Sequence, residues 1–84
     1  RLIHRVTKIQ SLAEEAALTG NQELTKTVQE DIKTLIEGGD LEGVENIEDF
    51  KEKLTQADNV TRVESADQRK EQISEMRGYQ KDMK

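Results

Sequence analysis

The sequence contains no proline among its 84 residues, and its apolar side chains recur every three or four positions. Because a proline inside a helix costs about 3 kcal/mol, its complete absence permits long uninterrupted helices. The most frequent residues include Glu, Lys, Leu and Gln, which favour helix. Few stretches are rich in the β-branched and aromatic residues that are typical of strands. The sequence therefore predicts an all-α fold, a small bundle of three to four helices.

The first two helices are predicted over residues 1–19 and 22–37. Each carries an apolar stripe with the spacing of one helical face. The stripe of the first helix consists of Leu2, Val6, Ile9, Ala13 and Ala16, and that of the second of Leu24, Val28, Ile32, Leu35 and Ile36. Between the helices, Gly20 suits the left-handed residue that ends a helix, and Asn21 suits the N-cap of the next one. A connection this short favours a helical hairpin.

A third, shorter helix is predicted over residues 46–57, after a pair of glycines ends the second. Asn46 is a favourable N-cap, and two acidic residues in the first turn suit the positive end of the helix dipole. The apolar stripe of this helix consists of Ile47, Phe50, Leu54 and Ala57. In the connection before it, we expect Leu41 and Val44 to join the same core.

Residues 59–84 carry few large apolar side chains, and a fourth helix is predicted over 61–82. Two possible capping boxes, beginning at Thr61 and at Ser65, could start it. Its second half has an apolar stripe, which consists of Ile73, Met76, Tyr79 and Met83. Because so polar a helix is not stable alone, we expect an extended C-terminal helix over 59–84 that projects from a bundle of residues 1–58 or docks on a partner.

The acidic, glycine-rich stretch 37–50 raises the question of a calcium loop. An EF-hand loop needs glycine at its sixth position and a bidentate Glu at its twelfth. Counted from Asp40, these positions are Glu45 and Lys51. Neither of the glycine-rich phosphate-binding motifs occurs in the chain. We interpret the stretch as a connection between two helices, and we predict no metal site and no cofactor.

The residues needed for catalysis are scarce. The chain has one histidine, His4, and no cysteine. A cysteine nucleophile is therefore excluded, and one histidine cannot supply the usual zinc sites. We expect His4 to lie exposed beside Arg1, Arg5 and Lys8. The sequence thus predicts a protein that is not an enzyme and has no small-molecule substrate.

The net charge of −5 is unevenly distributed. Residues 1–8 hold three basic and no acidic residues, and 69–84 hold five basic and three acidic ones, whereas 9–68 hold five basic and fifteen acidic residues. Basic clusters can contact phosphate, but the acidic middle and an aromatic content of 2% argue against nucleic acid. No apolar run is long enough to span a membrane. Without cysteine or a recognisable signal peptide, we expect an intracellular, cytoplasmic location.

The core predicted from this sequence is thin, since Leu, Ile, Val and Phe number 19 of 84 residues. Thin cores are often completed by a partner or by a second copy. We therefore predict a helical protein–protein interaction or assembly module, alone or within a larger chain, that makes coiled-coil-like contacts with another protein or its own copies. The predicted contact residues are Ile73, Met76, Tyr79 and Met83, with Leu2, Val6 and Ile9 as a second set.

Three other interpretations remain open. Both apolar stripes could instead close a single intramolecular bundle. The chain could be a structural or scaffolding component of a large assembly, such as a virus particle. It could also be a small regulator that binds a nucleic-acid enzyme, or a nucleic acid, through its basic ends.

Overall fold

The structure, a computed structural model, describes residues 2–81, with side chains as far as residue 78. It contains four α-helices, α1 (Leu2–Thr19), α2 (Gln22–Glu37), α3 (Ile47–Arg62) and α4 (Ala66–Lys81). The fold is 82% helical, and the described residues form no strand. These observations confirm the predicted small all-α bundle.

Helices α1 and α3 form the centre of the bundle. Each of them contacts all three other helices, whereas α2 and α4 do not contact each other within the described residues. The α2 side is held by a hydrogen bond from Gln29 Nε2 to Thr61 Oγ1 of α3, at 3.2 Å. The α4 side is held by a bond from Gln56 Nε2 of α3 to the Gln72 carbonyl, at 3.4 Å. Helices α2 and α4 therefore fill two separate grooves of the α1–α3 pair.

The core draws side chains from all four helices and from the connection between α2 and α3. The buried apolar cluster consists of Val6, Ile9, Ala13, Ala17, Val28, Ile32, Leu35, Leu41, Leu54, Ala57, Val60, Ile73 and Met76. Four half-buried side chains pack at its edge, namely Leu2, Leu12, Ile47 and Phe50. The predicted stripes of the first three helices supply most of this cluster. Ile36 belongs to the predicted stripe of α2 but is not part of the core, since its side chain remains 42% exposed.

The turn between α1 and α2 has the predicted chemistry. Gly20 is left-handed, with a φ of 69°, and its N–H donates to the Ala16 carbonyl at 2.9 Å. Asn21 caps α2, because its Oδ1 accepts the backbone N–H of Leu24 at 3.1 Å. These local bonds satisfy groups that the helix ends would otherwise leave unpaired.

The connection between α2 and α3 is a sequence of turns that enters the core. Gly38 ends α2 in a right-handed conformation, and its N–H donates to the Thr34 carbonyl at 2.8 Å. The left-handed residue is Gly39, at a φ of 83°. Leu41 is buried and Val44 is half-buried. Leu41 therefore joins the core, as the sequence predicted, whereas Val44 is only half-buried and lies outside the apolar cluster.

Helix α3 begins as predicted but ends later. Asn46 occupies the N-cap position, although it adopts a left-handed conformation, with a φ of 63°, and its side chain makes no capping bond. The helix ends at Arg62 rather than at residue 57. It continues because Val60 is buried one turn beyond the expected end, and because Asp58 pairs with Arg62 at 3.0 Å. The boundary that we placed at residue 58 lies inside this helix.

Helix α4 begins at Ala66, five residues after its predicted start at 61. Thr61 belongs to α3, where its hydroxyl donates to the Asp58 carbonyl at 2.7 Å. Ser65 lies where the second capping box predicts an N-cap, and its Oγ accepts the N–H of Gln68 at 3.5 Å. Of the two candidate capping boxes, the one that begins at Ser65 therefore supplies the capping hydroxyl of α4.

Two glycines provide a matched test of this backbone. We expect Gly20→Ala to lower the free energy of unfolding by about 1–2 kcal/mol, because the left-handed conformation opposes a Cβ. Gly78 lies inside α4 with a negative φ, so Gly78→Ala should raise it by about 0.5–1 kcal/mol. A Cβ at either position meets no atom within 4 Å, so the backbone conformation alone decides whether the substitution raises or lowers the free energy of unfolding. Urea unfolding followed by circular dichroism measures both changes. If both substitutions stabilised or both destabilised the protein, the backbone conformations assigned to the two glycines would be contradicted.

Candidate interaction surfaces

The apolar stripe predicted for the fourth helix faces the interior of the bundle. Ile73 is 6% exposed and Met76 is fully buried, and both belong to the common core. The side chain of Tyr79 and the whole of Met83 lie outside the part of the chain that the structure describes. Ile73 and Met76 therefore have the positions expected if the stripe closes an intramolecular bundle. Their contact with a partner stays a prediction.

The second predicted contact set lies mostly inside as well. Val6 is fully buried and Ile9 is 5% exposed, whereas Leu2 is half-buried at the edge of the core. Of these three residues, Ile9 also lines a surface cleft described below. The structure therefore brings Val6 and Ile9 together with Ile73 and Met76 in one apolar cluster rather than on one exposed face.

Polar contacts secure α4 on both of its neighbours. The side chains of Gln56 and Gln72 hydrogen-bond to each other between α3 and α4. On α1, the Glu14 carboxylate accepts a hydrogen bond from Arg77 Nε and forms an ion pair with it. This hydrogen bond, together with the negative charge of Glu14, raises the pKa of the exposed Arg77 above its ordinary value. Arg77 therefore stays charged, and salt weakens this exposed pair.

A surface cleft of about 230 Å³ lies between α1 and α2. Its apolar part is formed by Ile9, Leu12 and Leu35, and its polar part by Arg5, Lys8, Asp31 and Thr34. Arg5 Nη2 lies 3.6 Å from Asp40 Oδ2, and both of these side chains are about half exposed. Arg5, Lys8 and Leu12 are spaced by three and four residues, so they share one face of α1. That spacing is the sequence signal that our prediction of contact residues did not use.

A larger and more polar cleft, of about 400 Å³, lies where the α1–α2 turn approaches the α3–α4 turn. Arg62 and Arg69 both line it. Arg62 pairs with Asp58 at 3.0 Å, and Arg69 donates to the Val63 carbonyl at 3.1 Å. Both guanidinium groups are thus already engaged by the fold.

Among the side chains that the structure describes, two polar ones lie buried in the bundle. Lys53 is 2% exposed, and its Nζ reaches the half-exposed Asp49 at 2.8 Å. Gln10 is fully buried, and neither its Oε1 nor its Nε2 has a hydrogen-bond partner within the described part of the chain. Gln10 precedes Glu14 by one helical turn, so it lies on the α4 side of α1. A buried amide without partners costs free energy.

The remaining surface offers few other sites. Leu18 and Ile36 are exposed, at 63% and 42%, but they lie at the C-terminal ends of the antiparallel α1 and α2 and so form no common patch. Residues 2–81 contain no group of three or more His, Asp or Glu side chains that could hold a metal ion. None of the described helices is both long enough and apolar enough to cross a bilayer.

The unpartnered amide of Gln10 predicts that a polar residue is unfavourable at this position. We expect Gln10→Met, which keeps the length of the side chain, to raise the free energy of unfolding by about 1–3 kcal/mol. The control is Gln56→Met, which removes the bonds to Gln72 and should lower it by about 0.5–1.5 kcal/mol. Chemical denaturation compares the two variants. A destabilised Gln10→Met protein would show that the amide has a stabilising partner.

Comparison with known proteins finds no relative. No protein-family model matches the chain, and neither a curated protein nor a solved structure matches it.

Proposed function

We propose that this chain is a non-enzymatic protein-interaction module that binds an acidic amphipathic helix of a partner protein in the cleft between α1 and α2. One observation carries the proposal. The cleft combines apolar side chains of Ile9, Leu12 and Leu35 with the cations of Arg5 and Lys8. This combination is what a helix with an apolar stripe and acidic flanks would complement.

The size of the cleft supports a helix rather than a small molecule as the ligand. Pockets for small molecules usually measure about 300–1,000 Å³, whereas this one measures about 230 Å³. It suits one or two apolar anchors of a helix that otherwise lies on the surface of α1 and α2. A helix presents such anchors at intervals of three and four residues.

The charges along the cleft favour an acidic partner. Arg5 and Lys8 provide two positive charges against the single negative charge of Asp31. The contact of Arg5 with Asp40 spans 3.6 Å between exposed groups, so it is a weak pair that a partner carboxylate can replace. The same cations would attract a phosphate backbone, which makes a nucleic acid the competing ligand. Against that ligand stands the acidic middle of the chain.

A designed peptide tests the proposal directly. The probe is a fluorescent helical peptide with leucines at positions i, i+4 and i+7 and glutamates on both flanks. We expect it to bind, as measured by fluorescence anisotropy, at least tenfold more tightly than the same peptide with lysines in place of the glutamates. A DNA duplex serves as the third probe. Tighter binding of the duplex than of the acidic peptide would contradict the proposal.

Two variants locate the binding site of this peptide. Leu12→Glu should abolish binding, because it places a charge on the apolar wall of the cleft. Lys8→Glu should weaken binding about tenfold, or ~1.4 kcal/mol, and reduce its dependence on salt. The matched control is Lys26→Glu, which makes the same charge change at an exposed position of α2 that does not line the cleft. An equal loss in Lys8→Glu and Lys26→Glu would show that only net charge matters.

The scaffolding role and the nucleic-acid regulator role stay predictions. The first requires self-association, and the second requires the duplex to compete with the acidic peptide.

A further inference from the structure

The connection between α3 and α4 differs from the two other connections of the fold. The α1–α2 turn needs Gly20 at a positive φ, and the α2–α3 connection contains three positive-φ residues, which are Gly39, Gly43 and Asn46. Among the described residues, none in the segment 63–65 has a positive φ. Val63 has a φ of −76°, within the helical range, and departs from a helix only in its ψ of 128°.

The sequence around this segment is compatible with a continuous helix. No glycine occurs between residues 44 and 77, and the chain has no proline. Val63, Glu64 and Ser65 can all adopt helical dihedrals at small cost. Straightening 63–65 would therefore join α3 and α4 into one helix over residues 47–81 without placing any residue in a strained conformation.

We propose that the chain forms a reciprocal dimer in which α3 and α4 become one continuous helix and each α4 docks on α1 and α3 of a second copy. The groove that accepts α4 is already complementary to it in the monomer, through buried Ile73 and Met76 and through the pairs Gln72–Gln56 and Arg77–Glu14. The same contacts form between two chains when the helix is exchanged. The occupant of the groove is thus a second copy of this chain.

The hinge decides between the closed monomer and the exchanged dimer, because the contacts of α4 are the same in both. The closed turn is held by Arg69, whose Nη2 donates to the carbonyls of Val63 at 3.1 Å and Glu64 at 3.4 Å. The capping bond of Ser65 adds to it. In a continuous helix, the two carbonyls accept backbone N–H groups four residues later instead. The two hydrogen bonds of Arg69 therefore stabilise the closed monomer.

This inference is independent of the cleft between α1 and α2, because that cleft is lined by neither α3 nor α4. Lys8→Glu, at an exposed residue of the cleft, should leave dimer formation unchanged, and the hinge variants should leave peptide binding unchanged. Failure of one proposal is therefore distinguishable from failure of the other.

Sedimentation equilibrium over a range of concentrations tests the exchange. We expect Arg69→Ala to raise the dimer association constant at least tenfold, because it removes the two hydrogen bonds that hold the closed turn. The control is Lys70→Ala, which should leave the constant unchanged. We expect Glu64→Pro to lower the association constant by at least about a hundredfold, because a proline then interrupts both continuous helices of the dimer. In the closed turn, Val63 already has the extended conformation that a residue before proline prefers. Glu64→Ala is the matched control and should not weaken the dimer.

A crosslink identifies the chains that α4 joins. The chain has no cysteine, so Gln56→Cys with Gln72→Cys introduces the only two thiols, at side chains that contact each other between α3 and α4. Because a disulfide requires Cα atoms within about 7 Å of each other, a flexible bismaleimide crosslinker joins the two thiols instead. Crosslinking of the isolated dimer should give covalently linked chains on a denaturing gel, whereas the isolated monomer should give internal crosslinks only. Circular dichroism confirms that each variant is folded.

Three results would overturn the proposal. The first is the absence of any dimer in both the wild type and Arg69→Ala at the highest concentrations. The second is a dimer constant that does not respond to Glu64→Pro. The third is a crosslinked dimer whose crosslinks lie entirely within each chain, since that result describes side-by-side association with no exchange of α4.

Discussion

The contact between α1 and α3 holds the rest of the structure in place. The buried alanines Ala13, Ala16, Ala17 and Ala57 all lie on these two helices, and small side chains allow helices to approach closely. Each outer helix rests in a groove that both central helices form, and the outer helices do not meet within the described residues. Anything that separates α1 from α3 therefore removes the docking sites of α2 and α4 together.

The central pair also carries the polar side chains that the fold buries. Gln10 lies on α1 and Lys53 on α3. The ammonium group of Lys53 reaches Asp49 near the surface, whereas the amide of Gln10 has no hydrogen-bond partner among the described residues. Lysine can bury its aliphatic stem in this way because its ammonium reaches the exposed edge. Gln10 is too short to do the same. Its amide stays inside without a hydrogen-bond partner among the described residues, and so reduces the stability of the bundle.

The sequence predicted most accurately the features that depend on neighbouring residues. The end of α1 and both bounds of α2 follow from Gly20, Asn21 and the glycine pair after α2, and the structure matches them. The end of α3 was missed because Asp58 and Asn59 resemble a helix end, whereas the burial of Val60 against other helices extends the helix through them. That burial depends on tertiary packing, which local signals do not reveal.

The candidate cleft could likewise be predicted from the sequence only in part. Arg5, Lys8 and Leu12 share one face of α1 by their spacing alone, so half of the cleft could be predicted from the sequence. The other half comes from Leu35 and Asp31 of α2, and their position depends on how α2 is rotated about its own axis. That rotation follows from the docking of Val28 and Ile32 in the core. It cannot be derived from the pattern of α2 in isolation.

The order of the helices along the chain has a consequence for a polypeptide emerging from the ribosome. Synthesis completes α1 and α2 first, yet the groove that receives α2 is only half built until residues 47–62 have followed. The nascent hairpin must leave Val28, Ile32 and Leu35 partly in contact with water during that interval. The apolar face of this hairpin is therefore open to association until α3 has left the exit tunnel.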